Sequence, residues 1–137
     1  MRLSIGISVS PIVETTLHVI DHALLAAYTN CWIVKLNIVD SVSKNGAFKR
    51  IAERYRLIPD EKTLHQVKTK KQENSWLLSQ VGEADYYLRL KPTALVTPKT
   101  LRRIVAQMEK TKDLSITFPG GVLYRVGPGD EREDTDG

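Results

Sequence analysis

Ala84-Asp-Tyr-Tyr-Leu-Arg-Leu-Lys-Pro-Thr93 is the stretch on which the reading of this chain turns. Asp85 to Leu90 is dense in aromatic and branched side chains, which favours a strand, and Lys91-Pro92-Thr93 follows it as a turn. On its amino side, Lys70 to Val81 is polar and basic with Trp76, Leu77 and Val81 on one apolar side, so it reads as a helix that Gly82 ends. On its carboxyl side, Thr97 is placed to cap a helix and Pro98 suits its first position; Leu101, Ile104, Val105 and Met108 form its apolar stripe. In open α/β sheets, ligands gather at the carboxyl ends of strands. The turn Lys91-Pro92-Thr93 is therefore the first place to look for chemistry.

Outward from this centre the same alternation repeats. Leu3 to Ser10 alternates apolar and small polar residues and stops at Pro11, as a strand does. Glu14 to Tyr28 has helical spacing, with Val13, Leu17, Ile20, Leu24 and Ala27 on one stripe. Cys31 to Val39 is the most apolar run and reads as a central strand buried on both faces, closed by Asp40-Ser41. A turn at Ser43 to Gly46 leads to a basic amphipathic helix over Ala47 to Leu57, with Phe48, Ile51, Ala52 and Tyr55 inward. Ile58-Pro59-Asp60 breaks it, and Thr63 to Val67 is a short strand. Leu114 to Phe118 and Val122 to Val126 form a hairpin around Pro119-Gly120-Gly121. Strand and helix in alternation imply an α/β fold: a mostly parallel sheet flanked by helices, Rossmann-like, with a C-terminal hairpin.

With 137 residues, 42% hydrophobic and 26% charged, the chain suits one α/β domain over residues 1–128, followed by an acidic tail, 129–137, whose composition implies disorder. That tail holds five acids and one base, a net −4, so of the overall +4 the preceding residues carry +8. A basic body points to an anionic partner such as a nucleotide, a nucleic acid or an acidic surface, although solubility alone also explains it. The single cysteine, Cys31, excludes an intramolecular disulfide; it reads as a buried free thiol in a reducing, cytoplasmic compartment. No signal-peptide pattern and no apolar run long enough to span a membrane is evident.

Three stretches resemble the nucleotide-sugar half of GT-A-type glycosyltransferases, of the N-acetylglucosaminyltransferase IV kind. They are Ser8-Val-Ser-Pro11 leading into a helix, the strand Ile33 to Val39 ending in Asp40, and Lys70-Lys-Gln-Glu-Asn74 before Asp85 to Leu90. The resemblance spans roughly residues 3–110 and implies a cleft lined by Ser10, Pro11, Asp40, Lys71, Gln72 and Asn74, with Lys91 beside the phosphates. It also implies an acidic motif after the Tyr86-Tyr87 strand that holds a divalent cation. This chain has Lys91, Pro92 and Thr93 there. No metal site or cofactor is expected, and a degenerate or regulatory relative, a pseudoenzyme, is the reading that follows.

Other signals compete with it. Asp40 suits contact with a ribose or base, or equally a cap on the turn that follows. Lys68, Lys70 and Lys71 with Arg102 and Arg103, interleaved with Trp76, Tyr86 and Tyr87, suit single-stranded nucleic acid, or else a solvated face. That second class is a basic binding or assembly protein, viral or accessory, acting on nucleic acid, a membrane surface or a protein partner, including its own copies. His18 and His22 have the four-residue spacing of a metal pair, but the Glu of a zinc-hydrolase motif is missing, so they read as surface histidines.

Overall fold

A computed structural model describes residues 1–42 and 46–127. The elements follow the expected order: β1 (Arg2–Ser8), α1 (Val13–Thr29), β2 (Ile33–Asp40), α2 (Ala47–Arg54), β3 (Glu61–Gln66), α3 (Lys70–Ser79), β4 (Tyr86–Leu90), α4 (Pro98–Lys110), β5 (Ser115–Phe118) and β6 (Gly121–Arg125). The acidic tail lies outside the described residues.

All six strands join one sheet in the order β3-β2-β1-β4-β6-β5. The first four are mutually parallel, and β6 runs antiparallel to both β4 and β5. The hairpin folds back so that β6, not β5, pairs with β4. The sheet is thus mostly parallel with one reversed strand, because a tight turn can join only antiparallel neighbours.

Alternation along each strand sorts side chains onto two unlike faces. Leu3, Ile5 and Ile7 of β1, Leu36 and Ile38 of β2 and Leu88 and Leu90 of β4 join Leu17, Ile20, Ala23, Ile51, Leu101, Ile104 and Met108 in the main core under α1, α2 and α4. The other face is smaller and more polar: Val39, Leu77, Val81 and Tyr87 pack beneath α3. Beside them, Thr63 Oγ1 donates to Asn37 Oδ1 (2.8 Å) and Asn37 Nδ2 donates to Ser4 Oγ (2.8 Å). This chain satisfies a fully buried amide across three strands, as burial demands. Gly6 lies on the same face directly under the Tyr87 ring; a Cβ there would overlap the phenol oxygen and stand 2.8 Å from Cε1.

Capping decides two helix ends. Thr97 Oγ1 accepts from Thr100 N (3.1 Å) ahead of Pro98, as expected. At the other end of α3, Lys35 Nζ donates to Gln80 O (2.7 Å), placing positive charge on free carbonyls.

The expectation of a buried thiol fails. Cys31 is exposed and adopts φ 60° in the turn between α1 and β2. The chain leaves α1 through a left-handed residue there, and β2 enters the sheet only at Ile33. Likewise α2 stops at Arg54, leaving Leu57 exposed beyond it.

Candidate functional site

Strand order decides where a ligand can enter. The chain steps outward from β1 to β2 to β3 through α1 and α2 over one face, then returns through α3 over the other face to β4 on the far side of β1. The direction of winding reverses between β1 and β4. At the carboxyl ends α1 and α3 therefore start over opposite faces of the sheet and leave a crevice between them, the usual ligand position of open α/β sheets. Register pairs Ser8 with Val39 and Ile7 with Leu90. Asp40 and Lys91 thus flank the end of β1, two strand spacings or about 10 Å apart.

Arg89 occupies the crevice. Its Nη2 donates to Ser8 Oγ (2.7 Å) and Asn74 Oδ1 (3.2 Å), its Nε to Asn74 Oδ1 (3.3 Å), and its Nη1 to Leu90 O (3.2 Å). One guanidinium therefore ties the end of β1 to α3. Behind it a pocket of about 240 Å³ is lined by Asn74, Leu78, Tyr87, Arg89 and Tyr124. The Tyr87 and Tyr124 rings stack there, centroids 5.7 Å apart, and burial pushes the Tyr87 hydroxyl up to about 12.

On the other side of β1, Asp40 is buried and its Oδ1 accepts from Val42 N (2.9 Å), closing the turn after β2. Glu73, buried in the first turn of α3, accepts from Ser41 Oγ (2.7 Å). A cleft of about 680 Å³ opens between the starts of α1 and α2, lined by Pro11, Ile12, Val13, Glu14, Val42, Gly46, Ala47 and Arg50. Arg50 donates to Glu14 at its mouth (2.6 Å) and holds that carboxyl below its ordinary range.

Each residue singled out in the sequence has a definite place. Ser10 is buried; its N donates to Thr16 Oγ1 (2.8 Å) and its Oγ accepts from Ile12 N (3.2 Å), shaping the entry to α1. Pro11 is exposed on the cleft wall. Gln72 Oε1 accepts from Lys68 N (3.0 Å) and Thr69 N (3.2 Å), a capping box, so its side chain is committed to the start of α3. Lys71 is exposed in the same turn, and Asn74 holds Arg89. Lys91 is exposed, while its backbone is fixed: its N donates to Gly120 O (3.0 Å) and its O accepts from Ala94 N (3.1 Å). Lys68, Lys70 and Lys71 stand at the start of α3, whereas Arg102 and Arg103 ride on α4 across the sheet. These five bases do not share a face.

Arg89 and Glu73 escaped the sequence reading. The signal for Arg89 was present: a lone arginine inside an apolar strand, two residues from Tyr87 and so on its face.

The donor set does not fit a divalent cation. Lys91, Pro92 and Thr93 offer no carboxylate, and among the described residues no three His, Cys, Asp or Glu side chains could hold a metal ion. His18 and His22 are exposed with ring centroids 6.4 Å apart, and His65 stacks on Trp76 at 5.1 Å.

A mostly parallel sheet with its crevice at this reversal and helices on both faces is a GT-A-like α/β fold. The likeness is to particular solved structures. Residues 1–349 of S. aureus TarS match with a TM-score of 0.71 at 14% identity, over 99% of this chain and 49% of that one. The same protein in complex with UDP-GlcNAc matches at 0.69 and 15%, over 99% and 48%. The mannosyltransferase PcManGT from Pyrobaculum calidifontis, in complex with GDP-Man and Mn²⁺, matches at 0.71 and 14%, over 97% and 37%. This chain spans about half or less of the length of these structures. No family model and no curated protein matches its sequence. Among the described residues no helix is long and apolar enough to cross a membrane.

Proposed function

We propose that this chain is a nucleotide-sugar-binding domain of the GT-A type, degenerate or regulatory in role and not a metal-dependent transferase. One observation carries this reading: the crevice between β1 and β4 is flanked by Asp40 and Lys91, on a sheet of the same fold as structures bound to UDP-GlcNAc and GDP-Man. Asp40 would meet the base or ribose at the end of β2, with Ser10 and Pro11 forming the opposite wall of that end. Lys71, Asn74 and Lys91 would face the phosphates. Gln72 would act indirectly, by fixing the start of α3. A nearer relation to the N-acetylglucosaminyltransferase IV kind rests on Ser8 to Pro11, on the strand Ile33 to Val39 ending in Asp40, and on Lys70 to Asn74 before Asp85 to Leu90.

Thermal melting of the protein with UDP-GlcNAc and GDP-mannose tests the reading. It expects a rise in Tm with at least one of them, lost in Asp40→Ala. No rise with either, together with salt-sensitive binding of single-stranded oligonucleotides, refutes it in favour of a basic nucleic-acid-binding protein.

A further inference from the structure

The charged side chains at the end of β4, Arg89 and Lys91, have the wrong sign for a cation site and the right sign for its ligand. Arg89 is half-buried, and every acceptor it reaches is neutral: a serine hydroxyl, an asparagine amide oxygen and backbone carbonyls. Removing a guanidinium from water without a counter-charge is costly. The ion pairs among the described residues, Arg2 with Glu61, Arg50 with Glu14 and Arg54 with Asp21, include neither Arg89 nor Lys91. Lys91 follows Leu90 at the end of the same strand, its ammonium exposed and its backbone pinned from both sides. Arg89 is thus held at the end of β1 and Lys91 follows it two residues on, at the position where the fold would otherwise need carboxylates and a metal ion.

Resting on the nucleotide reading above, we infer that Lys91 and Arg89 stand in for the divalent cation, so that the crevice takes a nucleoside diphosphate without metal. Lys91 contacts the diphosphate directly. Arg89, held by Ser8 and Asn74, supplies charge from beneath and keeps its orientation when the ligand leaves. Binding by point charges in place of metal ligation is insensitive to chelators and sensitive to salt.

Calorimetry of the whole chain with UDP and with GDP, in EDTA and then in MnCl₂, tests this. At least one nucleotide binds in EDTA, and Mn²⁺ changes its Kd less than threefold. Lys91→Ala weakens that binding about tenfold or more, the size of one charge-assisted contact. Lys112→Ala, which removes an equal charge just beyond α4, leaves Kd within threefold. Binding that requires Mn²⁺, or a Lys91→Ala protein that binds as the parent does, overturns the inference while leaving the nucleotide reading intact. No binding of either nucleotide in either buffer defeats both.

Discussion

Arg89 on β4 donates to the hydroxyl of Ser8 on β1 at 2.7 Å, 81 residues away in sequence, and through Asn74 it also holds α3. The bond binds three elements where the winding of the sheet reverses. It also keeps a positive charge half out of water, in no ion pair among the described residues.

Those two features oppose each other in stability. Arg89→Met would lose the hydrogen bonds but also remove the desolvation cost, and exposed Asn74 can turn to water. Unfolding in urea should therefore show a change within about 1 kcal/mol, or a gain. A loss of more than about twice that would mean Arg89 serves chiefly as a structural strut.

Gly6 is required by the Tyr87 ring that reaches over it from the adjacent strand. Gly6→Ala forces the Tyr87 ring off its stack on Tyr124 and should cost about 1–3 kcal/mol in chemical denaturation. Combined with Tyr87→Leu, the cost should fall well short of the sum of the two single changes, because the clash has gone. Additive costs would place the strain elsewhere.

Gln72 gives a test of local structure. Gln72→Ala leaves the N–H groups of Lys68 and Thr69 without their acceptor and should cost about 1 kcal/mol of stability. Gln72→Glu keeps an acceptor at the same place and should restore most of it. Equal melting temperatures for Gln72→Ala and the parent would contradict this account.

Acid should loosen the contact between α1 and α2. Burial pushes the Asp21 carboxyl up, but hydrogen bonds from Arg54 and Tyr55 outweigh it, and the group ends below its ordinary 3.8. A carboxyl lowered in the folded state contributes stability that is complete above 3.8 and is lost as the pH falls from there through the folded-state value. Asp21→Asn should accordingly flatten the fall in stability below about pH 4. An unchanged acid limb in urea titrations would show that Asp21 does not carry the effect.

Much of the architecture could be read one segment at a time. Leu3, Ile5 and Ile7 alternate with Ser4, Gly6 and Ser8, and that period fixes both the strand and its two faces. Thr97 and Pro98 mark the start of α4 by their own chemistry. That Lys91, Pro92 and Thr93 offer no carboxylate needs no structure at all. Errors came where an environment depends on the chain's path. Cys31 borders an apolar run yet lies outside it, because the left-handed exit from α1 turns it to solvent.

The sequence by itself determined the order of elements, the mostly parallel sheet and the lack of a carboxylate in the turn Lys91-Pro92-Thr93 after β4, since propensity, periodicity and composition act within a few residues. Only the tertiary structure decided that β6 inserts beside β4, that Lys71 and Arg103 lie on opposite faces, and that Arg89 meets Ser8 and Asn74. These follow from the reversal of winding at β1, which brings distant residues together through packing of the whole sheet, and no local pattern records it.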